Sequence, residues 1–212
     1  MEYMAGLKDK AFDLAIVDPP YGIGVASWMG KDSGNKRGNS ASKKGFYDPK
    51  DWDISAPGAQ YWKELERVSK NQIIWGGNYF PLGVTSCYIV WDKDNGNNGF
   101  ADCELAWTSF NSAVRKVKIR WHGMLQYDMM KKEERVHPTQ KPIKLYKWLL
   151  KNYSKPNDKI LDTHLGSGSI AIACHQMNFD LVGCEIDADY YKAAVKRYSE
   201  AIKQQTLFQY SP

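Results

Sequence analysis

Residues 137–203 alternate short apolar runs with amphipathic stretches, and no other feature of the chain restricts its fold as much. His137-Pro138-Thr139-Gln140-Lys141-Pro142 opens a predicted helix with Ile143, Tyr146, Leu149, Leu150 and Tyr153 on its apolar side. Lys159-Ile160-Leu161-Asp162 reads as a strand and runs into the small-residue turn Thr163-His164-Leu165-Gly166-Ser167-Gly168-Ser169. A helix over residues 170–178 and a strand over 179–185 follow. The final helix spans about 188–203, with Tyr190, Tyr191, Ala194, Val195, Tyr198 and Ile202 expected to face inward. Strands separated by helices pair in parallel through right-handed crossovers. The predicted architecture is therefore α/β, with a doubly wound, mostly parallel sheet.

The turn within this unit has a chemical reading. Small residues at a strand–helix junction let a ligand approach the backbone, and Glu185 after the next strand offers a carboxylate to ribose hydroxyls. The run Gly166-Ser167-Gly168-Ser169 does not match the dinucleotide pattern Gly-x-Gly-x-x-Gly, which argues against NAD.

The first half of the chain adds strands to the same sheet. After a short helical lead-in over residues 1–11, Phe12–Val17 is a buried strand ending at Asp18-Pro19-Pro20-Tyr21. Two prolines fix φ there and remove competing N–H donors. The result is a rigid ledge holding a carboxylate, open carbonyls and a flat ring, which suits a planar group bearing an NH2. Residues 57–69 form a predicted amphipathic helix, and Gln72–Trp75 a second buried strand stopped by Gly76-Gly77. Asn78-Tyr79-Phe80 then falls at the same sheet edge as Asp18. Cys87–Trp91 and Glu104–Thr108, joined through the turn-rich run 92–99, read as a hairpin-like pair.

Charge is informative through its placement. The formal net charge of +5 is modest for a chain of 212 residues. It concentrates in two places. Residues 22–50 carry Lys31, Lys36, Arg37, Lys43, Lys44 and Lys50 in a run rich in Gly, Ser and Asn, which reads as a basic lid or a flexible insert. Residues 114–121 alternate apolar and basic side chains, giving a half-exposed strand with a positive face at Lys116, Lys118 and Arg120 and Arg115 beside it. That face is either a nucleic-acid contact or a solvated edge. A further basic cluster, Lys131, Lys132 and Arg135, lies near the second of these. The four cysteines show no close pairing and are expected to be reduced thiols, with neither a zinc site nor a disulfide framework. No signal peptide or membrane-spanning run is apparent, so no membrane partner is expected.

Taken together, these motifs resemble those of the β-class amino-methyltransferases, which methylate adenine N6 or cytosine N4 in DNA from S-adenosyl-L-methionine. Asp18-Pro19-Pro20-Tyr21 is similar to the catalytic motif of that family. His137–Pro142, Asp162 with Gly166-Ser167-Gly168, and Gly183-x-Glu185 with Tyr190 are similar to its cofactor motifs, in its order. The resemblance implies a circularly permuted, Rossmann-like methyltransferase fold with the catalytic motif before the cofactor motifs. It implies Asp18, Pro19, Pro20 and Tyr21 as catalytic residues, with Tyr21 stacking on a flipped base. It implies cofactor binding by Asp18, Thr139, Lys141, Asp162, Gly166, Ser167, Gly168, Glu185 and Ile186, with Lys141 on the methionine carboxylate and Glu185 on the ribose. With DNA as the substrate, the two basic stretches read as its contacts, at Lys36, Arg37, Lys43, Lys44, Arg115, Lys116, Lys118 and Arg120. No metal is required. Asp at the first motif position leans toward adenine N6; cytosine N4 and an RNA substrate stay open, as does a catalytically silent nucleic-acid-binding module on the same fold.

The chain departs from the family pattern at Thr163-His164, where Pro-Phe is usual; His164 is expected to be a satisfied turn residue. Family members also carry a strand ahead of the Phe12 region, so a truncated N-terminus or a differently built adenine pocket is expected. One domain is expected over residues 1–212, with a small target-recognition segment at about 92–136. A cytoplasmic protein of a bacterial or phage-infected cell, monomeric or homodimeric, fits these features. The tail Gln204-Gln205-Thr206-Leu207-Phe208 resembles a sliding-clamp docking motif, against the alternative that it caps a sheet edge.

Overall fold

A computed structural model describes residues 1–24, 53–96, 101–122 and 125–209, and the side chains of all of these except 204–209. Lys36, Arg37, Lys43 and Lys44 therefore lie outside the described residues, as do the side chains of the Gln204–Phe208 motif. In chain order the elements are α1 (Glu2–Ala5), β1 (Phe12–Val17), α2 (Ala59–Val68), β2 (Ser69–Trp75), β3 (Tyr88–Asp92), β4 (Cys103–Thr108) and β5 (Arg115–Lys118). There follow β6 (Trp121–His122), β7 (Leu125–Gln126), α3 (Ile143–Tyr153), β8 (Lys159–Asp162), α4 (Ser169–Met177), β9 (Asp180–Gly183) and α5 (Ala188–Gln209).

Seven strands form one sheet in the order β5-β3-β4-β2-β1-β8-β9. The chain's first strand thus pairs in parallel with β2 on one side and with β8, from the last third, on the other. Only β4 runs against its neighbours, β2 and β3. The expected hairpin is the β3–β4 pair, and β5 closes the sheet in parallel with β3. Because β1, β2 and β8 run the same way, their C-terminal ends bring Asp18, Gly76 and Thr163 to one edge.

Alternation along the central strands assigns their side chains to two cores. Leu14, Ile16, Ile73 and Trp75 face α3 and α4, meeting Leu145, Leu149, Ile170 and Ala173. Ala15, Val17 and Ile74 face the other way, against Tyr61, Leu65 and Val68 of α2 and Met4 of α1. Leu145, Leu149 and Leu150 of α3 are fully buried; each such side chain contributes about 1.5–3 kcal/mol of apolar burial.

The last helix differs from its sequence reading. Tyr191 is 50% exposed and Val195 is 44% exposed, while Tyr190, Ala194 and Arg197 turn inward. Those three sit at i, i+4 and i+7, one face of a helix, and Tyr191 and Val195 lie one step around it. Arg197 is tolerated inside because Glu133 pairs with it at 2.7 Å and the Ser167 carbonyl accepts from it at 3.0 Å. No helix among the described residues is long and apolar enough to cross a membrane.

Candidate functional site

The ledge after β1 is held in place from several directions. Pro19 is buried, and the Asp53 carboxylate accepts the backbone N–H groups of Tyr21 at 2.8 Å and Gly22 at 3.0 Å. The Asp53 carbonyl also accepts the Gly24 N–H at 3.1 Å, so Asp53 meets the chain at Tyr21, Gly22 and Gly24. The Tyr21 hydroxyl donates to Asp18 Oδ1 at 2.8 Å. Its ring lies over Gly76, where a Cβ would sit 2.3 Å from the nearest ring atom, and Gly76 adopts φ +70°. Both facts demand glycine at that position. Tyr79 stacks on Tyr21 at 4.9 Å between ring centroids with an interplanar angle of 16°, and is itself 47% exposed.

Asp18 belongs to a charged network that reaches into the sheet. Lys141, 3% exposed, donates to Asp18 Oδ2 and pairs with Glu104 Oε2 at 3.1 Å, and Lys93 pairs with Glu104 Oε1 at 2.5 Å. Two carboxylates thus face two ammonium groups. Burial pushes the Asp18 carboxyl upward against the opposing pull of Lys141, with the Glu104 charge adding to the rise. Glu104, despite burial, is held down at about 2 by Lys141 and Lys93. The Lys141 ammonium is retained by Asp18 and Glu104 against burial, its pKa raised, and it lies 5.3 Å from the Trp75 ring. The predicted partner of Lys141 is a cofactor carboxylate; in the structure its partners are these two protein carboxylates.

The glycine turn stands at the other end of the same cavity. Gly166 and Gly168 both have positive φ, at +51° and +70°. A Cβ on Gly168 would lie 3.1 Å from Ala194, whereas one on Gly166 would meet nothing nearer than 3.8 Å, so the turn opens outward at Gly166. Glu185 Oε2 accepts the Gly166 N–H at 2.7 Å and Oε1 accepts the Asp187 N–H at 2.9 Å. Each oxygen keeps further acceptor capacity. Asp162 is 1% exposed and accepts the His164 N–H at 2.9 Å; burial pushes its pKa up to about 8. His164 is a turn residue with its needs met: Nδ1 lies 3.0 Å from the Thr163 hydroxyl, the ring packs on Tyr61, and burial lowers its pKa to about 4.

Most of the sequence-assigned catalytic and cofactor residues line one cavity of about 220 Å³, among them Asp18, Lys141, Gly166, Ser167 and Glu185; Pro19, Tyr21, Asp162 and Gly168 do not line it. Pro20, Thr139 and Ile186 also reach it, Ile186 being 98% exposed. A larger open cleft of about 570 Å³ lies beside β9, lined by residues such as Tyr191 and Tyr198, and holds neither Asp18 nor Glu185.

The basic strand behaves differently from its sequence reading. Lys116 pairs with Asp92 at 2.9 Å, and Lys118 and Arg120 pair with Asp94 at 2.8 and 2.9 Å. Three of the four predicted phosphate contacts are thus already matched by carboxylates; Arg115 makes no ion pair among the described residues. Sequence reasoning missed Asp53 and Glu104. Glu104 carries a faint signal, a lone acid within the run Cys103–Thr108. Asp53 carries none, since a long segment separates it from the backbone it holds.

Comparison with known proteins identifies the class. Residues 41–196 match the model of the N6/N4 DNA methylase family, and the chain belongs to that family. It is similar to the type II methyltransferase M1.MboII of Moraxella bovis, with 22% identity over 91% of each chain. It is also similar to M2.LlaDCHI of Lactococcus lactis subsp. cremoris, with 25% identity over 92% of this chain and 84% of that one. Among solved structures, the M1.HpyAVI–SAM complex superposes with a TM-score of 0.52 at 21% identity, over 92% of this chain and 91% of that one. The cytosine-N4-specific PvuII DNA methyltransferase superposes with a TM-score of 0.55 at 10% identity, over 94% and 86%. These superpositions establish the Rossmann-like methyltransferase fold, and the family match makes the chain an amino-DNA methyltransferase.

Proposed function

We propose that the protein transfers a methyl group from S-adenosyl-L-methionine to the N6 amine of adenine in DNA, with the target base turned out of the duplex. The observation that carries this reading is the shared cavity: the Asp18 ledge and the Glu185–Gly166 turn open into the same space. The residues present fit the cofactor. Glu185 has acceptor capacity for a pair of ribose hydroxyls, the turn is open at Gly166, and Ser167 lines the cavity beside it. The bound cofactor supplies an electrophilic methyl on a sulfonium.

The protein's part is binding and positioning. An exocyclic amine is a poor nucleophile because its lone pair is delocalised into the ring. Asp18 and the Pro19 carbonyl accept the two amine hydrogens and so favour a pyramidal nitrogen whose lone pair is available. For this Asp18 must be ionised; Lys141 and the Tyr21 hydroxyl favour that form, while burial and the Glu104 charge oppose it. The Tyr21 hydroxyl fixes the carboxylate's rotation, and the Tyr21–Tyr79 stack offers the base a flat surface. Holding the amine in line with the methyl is the main source of acceleration. Residues 92–136 form the recognition segment, and Lys36, Arg37, Lys43, Lys44 and Arg115 supply phosphate contacts.

Adenine is favoured by aspartate at the first position of the ledge. Incubation with labelled cofactor and unmethylated duplex DNA, followed by nucleoside analysis, tests the reading. N6-methyladenine is expected. N4-methylcytosine would move the assignment to the other base, and DNA binding without transfer would leave a silent module.

A further inference from the structure

Residues 127–132 form a loop that is fixed at its base and exposed at its tip. Gln126 closes the base with two bonds to Glu133: its Nε2 donates to the Glu133 carbonyl at 2.8 Å, and its Oε1 accepts the Glu133 N–H at 2.7 Å. Glu133 is in turn anchored in the body, paired with Arg197 at 2.7 Å and accepting the Ile143 N–H at 3.0 Å where α3 begins. That anchor lies two residues from Lys141. Within the loop, Asp128 Oδ1 accepts the N–H groups of Met130 at 2.9 Å and Lys131 at 3.0 Å, a side-chain-stapled turn.

The tip carries apolar side chains that bury little. Met130 is 93% exposed and Met129 48%, with Leu125 at 48% and Tyr127 at 37% beside them. Single exposed apolar residues are ordinary, but four within six positions on a stapled loop form a patch. Lys131 and Lys132 follow at once, both exposed and without an ion pair among the described residues. This sets them apart from Lys116, Lys118 and Arg120, whose charges are met by Asp92 and Asp94. An unbranched thioether followed by two cations that make no ion pair among the described residues matches duplex DNA: the ammonium groups meet phosphates, and the methionine slides between stacked bases.

We infer that Met130 enters the duplex at the target nucleotide and occupies the space the extruded base leaves, with Lys131 and Lys132 on the flanking phosphates. This rests on the base-flipping reaction proposed above. Flipping must overcome stacking and pairing, a few kcal/mol for a paired base, and a rigid wedge stabilises the opened duplex.

The test compares wild type, Met130→Ala and Met130→Leu on two duplexes, one fully paired and one with an abasic site opposite the target base. Methyl transfer is read on the adenine duplexes, and parallel copies with 2-aminopurine, which lacks the N6 amine, in place of the target adenine report extrusion. On the paired duplex, Met130→Ala is expected to weaken the fluorescence rise and lower kcat/KM on the order of tenfold, with Met130→Leu largely restoring both. On the abasic duplex the alanine variant should approach wild type, because pairing no longer resists extrusion. Its melting temperature and cofactor affinity should not move. Equal impairment on both duplexes, no impairment on either, or a marked fall in melting temperature would overturn the wedge. Wild-type protein that neither extrudes nor methylates the base would overturn the underlying reaction.

Discussion

Replacing Asp162 with asparagine isolates the energetic consequence of a carboxyl buried beneath the cofactor turn. The group is 1% exposed, and its pKa is pushed up to about 8 chiefly by burial, with the His164 N–H opposing and the Asp18 and Glu185 charges adding. The unfolded chain releases this proton near the ordinary carboxylate value of 3.8, whereas the folded chain holds it until about pH 8. A raised folded pKa makes stability greatest below the unfolded value, and that stability is lost as pH rises through the folded one. Each unit of difference corresponds to about 1.4 kcal/mol, so between about pH 5 and about pH 8 this one group removes roughly 4 kcal/mol. Asp162→Asn keeps an oxygen for the His164 N–H and removes the ionisation. Urea unfolding of both proteins across that range should show the variant gaining on wild type by roughly 4 kcal/mol toward alkaline pH. Parallel profiles would refute the buried neutral carboxyl.

Three further outcomes follow from the geometry. Gly76→Ala forces a side chain into φ +70° and against the Tyr21 ring; a stability loss of at least about 1–2 kcal/mol and slowed methyl transfer are expected by thermal melting and single-turnover kinetics, and normal turnover would remove Tyr21 from its positioning role. Glu185→Ala leaves the Gly166 and Asp187 N–H groups without their acceptor, so cofactor affinity by calorimetry should fall more than DNA affinity; an unchanged cofactor affinity would count against the site. Glu104→Gln removes a negative charge that raises the Asp18 pKa, so the acid limb of the single-turnover pH profile should move to lower pH; an upward shift would contradict the network.

Periodicity made the sheet readable because each central strand is short, apolar and followed at once by a turn. The β1, β2, β8 and β9 runs and the α2, α3 and α4 helices all lie where the alternation puts them. The Asp18 and Gly166–Glu185 ends were legible for a related reason: each sits at the C-terminal end of a parallel strand, where sequence order alone places it at the shared edge. What sequence could not supply was pairing across distance. Arg197 reads as a solvated helix residue until Glu133 appears beside it, and the face of β5 reads as a free basic stripe until Asp92 and Asp94 meet it. Asp53 holds the ledge from across more than thirty positions of chain, which no local pattern signals. Glu104 becomes meaningful only once Lys141, far along the chain, is found against it.

The central claim is that the Asp18 carboxylate accepts the amine hydrogens during transfer, and Asp18→Ala tests it most directly. With single-turnover methyl transfer to adenine-containing duplex DNA measured alongside melting temperature and cofactor binding, the variant should lose transfer while remaining folded and able to bind cofactor. A folded variant that methylates adenine at a near-normal rate would contradict the account.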